Sequence, residues 1–140
     1  MTLPAPRDQF CGCIWLPRIR SKAQLFKAGK LPKDYVRPFC HPVAADGHFL
    51  AHFQTDKDAL LAVVDLPDAE FKAWFLALPN NSDELIAEWN EIAVNLGRPG
   101  YPMDERFVWA MENLYPEMKQ YDPETVFEMI EYDEGIRPTE

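Results

Sequence analysis

The sequence predicts an all-α fold, a compact bundle of five to seven short helices with an extended N-terminal arm. Its 140 residues are 47% hydrophobic and 26% charged, a composition typical of one globular domain. Apolar residues recur at spacings of three and four along most of the chain, which is the period of an amphipathic helix. No two segments alternate in the way that paired strands would. We therefore interpret residues 1–140 as a single helical domain.

The first third of the chain is predicted to contain an arm, a short helix and a loop. Residues 1–20 hold three prolines and an apolar run without an obvious partner strand, so they are interpreted as the extended arm. Ser21 and Gln24 have the spacing of a capping box, which predicts a helix from Ser21 to Gly29. Residues 30–47 hold three more prolines and no sustained period. They are predicted to be a long ordered loop, a kind of segment that often carries function.

The rest of the chain shows helix signals in close succession. Residues that can cap or begin a helix precede the apolar segments: Asp46, Thr55, Pro67, Asn81 or Ser82, and Asp122. The clearest helix follows Ser82, with acidic residues in its first turn and Gly97 after its last. Residues 100–140 are predicted to be an acidic helical extension, because 104–140 hold 11 acidic residues against three basic ones.

Charge is distributed unevenly along the chain. The net charge is −9, yet residues 1–40 hold eight Lys and Arg against two Asp and Glu. An acidic protein lacks the basic surface that nucleic-acid binding requires, so no nucleic-acid partner is expected. No stretch approaches 18 apolar residues, so no membrane partner is expected either. Two interpretations of the basic segment stay open: it pairs with the acidic body, or it faces an anionic ligand.

The three cysteines are Cys11, Cys13 and Cys40. The first ten residues lack the apolar run of a secretory signal, so a cytoplasmic location with reduced thiols is expected. A disulfide between Cys11 and Cys13 is not expected, because it would close a very small, strained loop.

A pattern of separated residues carries a resemblance to a known family. Its positions in this chain are the segment Gly12–Arg18, then Lys22 and Ala23, Gly29, Tyr35, Cys40, Asp46, Phe49 and Leu50, Phe53, Ser82 and Asp83, and Trp89. Together they resemble the small bacterial family known as the domain of unknown function numbered 5069, over about residues 10–90. The resemblance implies a compact, largely helical fold and no particular reaction. The family pattern carries Asp where this chain has Ser21, and because both residues cap helices we favour a structural role there.

Six residues, which we call the front cluster, form the candidate site under the N-terminal arm and the 30–47 loop: Trp15, Arg18, Lys22, Tyr35, Cys40 and Asp46. In the leading hypothesis the protein binds or transforms a small anionic ligand. Arg18 would bind the anion through its planar guanidinium, and Lys22 would attract it as a point charge. Trp15 and Tyr35 would line the pocket. The alternative is that Arg18 pairs with carboxylates of the acidic body and Trp15 is simply buried.

Reactive chemistry at this site would come from Cys40 or Asp46. Lys33 and Arg37 precede Cys40 in the loop, and nearby cations lower the pKa of a thiol and so activate it as a nucleophile. Asp46 would instead transfer protons. Whether the protein is an enzyme stays open at this stage.

Metal binding is a weaker hypothesis. His48 and His52 are four residues apart, a spacing that can chelate zinc on one helical face with thiolates completing the set. However, the chain lacks a Cys-x-x-Cys pair and the glutamate of the His-Glu-x-x-His motif. It also lacks glycine-rich nucleotide-binding motifs. No metal and no cofactor are predicted.

A second functional class follows from the acidic extension. Its helices would form a docking surface for a basic protein partner, steered by charge. In this interpretation the chain is an interaction module, or an inhibitor or immunity-type protein, without an active site.

Overall fold

The computed structural model describes residues 2–137, and helices make up most of it. A short hairpin, β1 (Gln9–Phe10) and β2 (Cys13–Ile14), comes first. The helices follow in order: α1 (Leu16–Lys27), α2 (Lys33–Val36), α3 (Ala45–His52), α4 (Lys57–Val63), α5 (Asp68–Leu76), α6 (Asp83–Val94), α7 (Asp104–Asn113), a 3-10 helix (Pro116–Tyr121) and α8 (Val126–Asp133). The prediction of a helical fold is confirmed. The nine helices of residues 2–137 exceed the predicted five to seven, because the four-residue α2 and the six-residue 3-10 helix were not predicted.

The N-terminal segment differs from the predicted arm. Part of the apolar run forms strand β2, which pairs with β1 just before it. The two strands are antiparallel and are joined by a turn at Cys11 and Gly12. Helix α1 begins at Leu16 and not at Ser21. Pro17 lies in its first turn, where a missing N–H costs nothing because no carbonyl of the helix is available to accept from it.

The predicted capping box is therefore wrong. Ser21 lies in the second turn of α1, and the side chain of Gln24 does not return to it. The Gln24 side-chain amide instead donates to the carbonyl of Val64 at 2.8 Å, which ties α1 to the end of α4.

Side chains cap α4, α6 and α8 at Asp56, Ser82 and Thr125. Ser82 is as predicted. Thr55 is not the cap of α4. Its backbone N–H donates to the carbonyl of Leu50 and so belongs to the turn that ends α3. Asp122 is not the cap of α8, because its left-handed backbone (φ 49°) ends the 3-10 helix instead.

The core beneath the front cluster is aromatic. The ring of Phe49 on α3 lies 5.1 Å from that of Phe53, 6.2 Å from Phe75 on α5 and 5.3 Å from Trp89 on α6. All four side chains are buried. Trp89 also donates its indole N–H to the carbonyl of Ile14 at 2.9 Å. The hairpin and α3 are thus held on the same packed helices, which places their residues side by side.

The acidic extension packs on the rest of the chain. The N–H of Val126 donates to the carbonyl of Leu96, joining α8 to the end of α6. Gly97 (φ 95°) follows α6 as predicted, but the helix ends before it, at Val94 with Asn95 as the C-cap. A Cβ on Gly97 would lie 3.0 to 3.2 Å from the side chain of Phe107, so the turn after α6 lies directly against α7.

The backbone of His41 and Pro42 lies even closer to α3. A Cβ on Gly47 would lie 2.2 Å from the carbonyl oxygen of His41 and 2.6 Å from the Cα of Pro42. This close contact fixes the end of the 30–47 loop on α3 and so brings Cys40 next to Asp46. The loop itself includes the single turn α2, which was not predicted. Across residues 2–137, no helix is both long enough and apolar enough for a membrane span.

Candidate functional site

The fold brings the six residues of the front cluster together. Arg18 and Lys22 are four residues apart on α1, so they share one face of that helix. Trp15 immediately precedes α1. Tyr35 comes from α2, whereas Asp46 lies in the first turn of α3.

Asp46 binds three members of this cluster. Its Oδ1 accepts from the indole N–H of Trp15 at 2.8 Å, and its Oδ2 accepts from Lys22 Nζ at 2.8 Å and from the Cys40 N–H at 3.1 Å. The Asp46 side chain is 1% exposed and that of Lys22 is 5% exposed. A charge buried to this extent is tolerated only when it is paired and hydrogen-bonded, and both conditions hold here. Asp46 is not the cap of α3, because it lies within the helix and Ala44 is the N-cap residue.

Arg18 is bound by a residue from the far end of the chain. Its Nη1 donates to Glu134 Oε1 at 2.9 Å and to the carbonyl of Pro4 at 3.0 Å, and its Nη2 donates to Glu134 Oε2. The Tyr35 hydroxyl donates to the same Glu134 oxygen at 3.0 Å. The arginine thus pairs with a carboxylate of the acidic body, as the alternative interpretation expected, and a protein carboxylate occupies the position proposed for an anion.

The Trp15 ring is covered on both sides. Phe127 of α8 stacks on it with the ring centroids 5.3 Å apart. The Arg18 guanidinium lies 5.4 Å and Lys22 Nζ 5.6 Å from the indole centroid, within the range of cation–π attraction. Because the side chain is almost completely buried, stacking of a ligand on this indole requires one of these neighbours to move.

Two backbone positions in the cluster have positive φ, which non-glycine residues rarely adopt. The φ of Trp15 is 77° and that of Cys40 is 57°. Each costs on the order of 1–3 kcal/mol. Asp46 holds both residues, Trp15 through its indole and Cys40 through its backbone N–H, so the carboxylate stabilises a strained arrangement.

Two open grooves lie elsewhere, beside Val108 on α7. The larger, about 780 Å³, is lined by Gly97, Arg98, Pro99, Tyr101, Asp104, Glu105, Phe107, Val108 and Glu124. The smaller, about 360 Å³, is lined by Phe107, Val108, Met111, Glu112, Lys119, Asp122 and Pro123. We call these two grooves and the residues that line them the Val108 surface. No front-cluster residue belongs to it.

The amino-acid sequence matches the family described as Domain of unknown function (DUF5069) over residues 2–136. The chain belongs to this family. The match confirms the resemblance and extends it beyond residues 10–90, so most of the acidic extension is part of the DUF5069 domain. No curated protein and no solved structure is significantly similar to the chain. Membership in DUF5069 therefore brings no assigned reaction to this site.

Sequence reasoning missed two features of this DUF5069 chain. Glu134 has no local signal, because it is one of many acidic residues and lies 116 positions from its partner Arg18. Val108 does have a local sequence signal. Val108 and Trp109 are apolar residues outside the buried stripe of α7, which consists of Phe107, Ala110 and Met111. Apolar residues outside that stripe indicate a second apolar face on the helix.

Of the two histidines on α3, His52 has a backbone hydrogen-bond partner and His48 is partly buried. His52 donates its Nε2–H to the carbonyl of Leu85 at 2.8 Å, and burial lowers the pKa of His48. The described residues contain no group of three His, Cys, Asp or Glu side chains placed to hold a metal ion.

The Cys40 thiol is in the opposite state from the one expected of a nucleophile. Burial and the nearby Asp46 carboxylate raise its pKa to about 12, and neighbouring ammonium groups lower it by less. The prediction that Lys33 and Arg37 lower the pKa of the Cys40 thiol is therefore wrong. Burial also raises the pKa values of Cys11 and Cys13.

We expect all three thiols to react slowly in the folded protein. With the pKa of Cys40 raised from 9.0 to about 12, the thiolate that attacks a disulfide reagent is scarce, and the folded rate at about pH 8 should be at least about tenfold below the rate in denaturant. The same shift makes stability depend on pH. Because the folded pKa exceeds the unfolded one, the contribution of this thiol is complete below pH 9 and is lost as the pH rises toward 12.

Both effects can be measured on two proteins. A chromogenic aromatic disulfide gives the thiol rates, and urea denaturation gives the free energy of unfolding at alkaline pH. Cys40→Ser should lose less stability than the wild type between about pH 9 and 12. A Cys40 thiol that reacts as fast in the folded protein as in denaturant would contradict this description.

Proposed function

We propose that this protein is an interaction module that binds a basic protein partner through its acidic helical surface and has no active site. The observation that carries the proposal is which charged side chains are paired within the protein and which are not. The basic N-terminal segment is largely neutralised within the protein, whereas many carboxylates of the body face solvent without a partner.

Five of the eight cations in residues 1–40 form ion pairs with the body. These pairs are Arg7–Glu131, Arg18–Glu134, Arg20–Asp68, Lys22–Asp46 and Lys27–Asp65. The exposed pairs among them contribute little stability, but each one lowers the positive charge that this segment offers to an outside anion. These ion pairs support the interpretation in which the basic segment pairs with the acidic body and does not bind an anionic ligand.

Several of these unpaired carboxylates lie on α6 and α7. Asp83, Glu84 and Glu88 on α6, and Asp104 and Glu105 on α7, are exposed and form no ion pair with any residue in 2–137. A surface dominated by one sign of charge attracts partners of the opposite sign and raises their association rate. Repulsion disfavours nucleic acids and other polyanions, so a basic protein segment is the partner that fits.

The test uses a defined basic peptide. A fluorescein-labelled amphipathic peptide of about 18 leucines and lysines serves as the probe, and fluorescence anisotropy measures its binding to the whole protein. We expect saturable one-to-one binding that weakens by at least about tenfold between about 50 and 300 mM salt. Polylysine of equal charge is the control and should compete poorly. Absence of saturable binding at low salt would overturn the proposal.

A small anionic ligand at the front cluster is the second candidate function. Two observations favour it: six chemically suitable side chains converge, and strained backbone of the kind seen at Trp15 and Cys40 often marks functional sites. A ligand carboxylate or phosphate would replace Glu134 on Arg18 and Tyr35, near the pair formed by Lys22 and Asp46. In this interpretation Cys40 or Asp46 supplies the chemistry.

Thermal melting separates the two candidates. A rise in the melting temperature with phosphate or a small carboxylate, absent in Arg18→Ala, would favour the anion site. No rise across a panel of such anions, together with peptide binding, would favour the interaction module. The proposed setting is the cytoplasm, since the three cysteines are free and free thiols suit a reducing compartment.

A further inference from the structure

We infer that the partner docks on the Val108 surface, and that the docking element is a segment rich in Lys or Arg that also carries large apolar side chains. This inference rests on the proposed function and adds its location and recognition chemistry. Three observations carry it: an exposed apolar residue, apolar groove walls on both of its sides, and carboxylates around them.

The apolar part of the surface is continuous. Val108 is 61% exposed, and the grooves on its two sides share both it and Phe107. Pro99 and Tyr101 extend the apolar lining of the larger groove, and Met111 and Pro123 extend that of the smaller. Single exposed apolar residues are common on proteins. An exposed residue between two grooves of this kind forms a continuous apolar strip that a partner can bury.

Carboxylates surround this strip. Three carboxylates lie one helical turn from Val108: Asp104 and Glu105 come four and three residues before it, and Glu112 comes four residues after it. Residues at these spacings occupy the same exposed side of α7. Asp122 lines the smaller groove and Glu124 lines the larger one. Together these five carboxylates lie close enough to the strip to meet cations of a segment that covers it.

The two cations that line the grooves are already paired. Arg98 Nη1 lies 3.3 Å from Glu124 Oε2, and Lys119 Nζ lies 3.6 Å from Glu112 Oε1. Five carboxylates against two cations leave the Val108 surface negative. This balance repels an anionic ligand and attracts Lys and Arg side chains.

The shape of the surface favours a chain segment over a compact small molecule. Both grooves are open, and Val108 stands between them. A ligand that fills both must pass over Val108, which a peptide does by placing apolar side chains on its two sides. Burying apolar area there provides affinity, while the carboxylates provide specificity for a basic sequence.

The decisive variant is Val108→Asp, measured with the leucine–lysine peptide. If charge alone drove binding, an added carboxylate would tighten it. If the peptide seats on the apolar strip, the substitution should weaken binding about tenfold or more. Because Val108 is exposed, the melting temperature should change little, and circular dichroism checks this directly.

Leu76→Asp is the matched control. Leu76 is an exposed apolar residue at the end of α5, 44% exposed, and its substitution changes the charge by the same amount at a distant site. It should leave the affinity unchanged or slightly improved. A second pair, Glu105→Lys and Glu70→Lys, reverses one charge on α7 or on α5, and the α7 change should weaken binding more.

The outcomes distinguish this inference from the proposed function. Tight binding by the wild type with equal affinity in Val108→Asp and Leu76→Asp would overturn the location and leave the interaction module standing. No peptide binding by the wild type would overturn both. A loss confined to the α7 variants supports both.

Discussion

Replacing Asp46 with asparagine should lower the free energy of unfolding by about 3–5 kcal/mol. The substitution keeps the size of the side chain and removes its charge. Lys22 Nζ, which now lies 2.8 Å from the carboxylate, would then be a buried ammonium group without a counter-charge. Urea denaturation followed by circular dichroism measures the loss.

A double-mutant cycle separates this ion pair from the other contacts of Asp46. Lys22→Met leaves the carboxylate with two neutral donors, Trp15 Nε1 and the Cys40 N–H. Combining Lys22→Met with Asp46→Asn removes both charges, so the double variant should be more stable than the sum of the single losses predicts, by about 1–3 kcal/mol. Additive losses of less than about 1 kcal/mol each, the size of an exposed pair, would show that the pair is not buried.

Trp15→Ala should also destabilise the protein by about 3–5 kcal/mol. The side chain is 2% exposed, stacks on Phe127 and donates to Asp46. Its removal leaves a cavity between α1 and α8 and takes one donor from a buried carboxylate. The midpoint of urea denaturation reports the change.

Trp15→Phe is the matched control for this prediction. It keeps an aromatic ring against Phe127 and loses the indole N–H, so it should cost an intermediate amount, about 1–3 kcal/mol. If Trp15→Ala cost no more than a typical surface substitution, within about 0.5 kcal/mol, the described packing of Trp15 between α1 and α8 would be incorrect.

These substitutions bear on how the uneven charge of the chain is used. The buried pairs Lys22–Asp46 and Arg18–Glu134 join α1 to α3 and to the end of α8. Taking such charges out of water is costly, so their attraction offsets a penalty more than it adds stability. Their consequence for function is that the cations of the front cluster are already bound, which directs a search for partners to the exposed acidic helices.

The fold was predictable where one residue type decides the local geometry. Ser82 caps α6 because few residues suit an N-cap position as well. The start of α1 was not predictable in this way. Pro17 is compatible with an extended arm and also with a first helical turn, and only packing against the body selects the helix.

The candidate site was predictable in part. The front cluster consists of residues that the family pattern draws attention to, and the fold does bring them together. The uneven charge allowed for pairing with the acidic body, but the identity of the partner, Glu134, depends on a contact across 116 residues that spacing and composition do not specify. The grooves beside Val108 depend on how α7 packs on the turn after α6 and on the 3-10 helix, so they too follow from tertiary structure.

The most direct test of the account is a nitrogen-15 HSQC titration of the wild-type protein with the leucine–lysine peptide. If the basic segment is neutralised internally and the acidic helices bind the partner, the perturbed amides should cluster in residues 97–108 and 111–124. Residues 15–46 should stay unperturbed, also when phosphate is added. Perturbations centred on residues 15–46, or none anywhere at saturating peptide, would contradict the account.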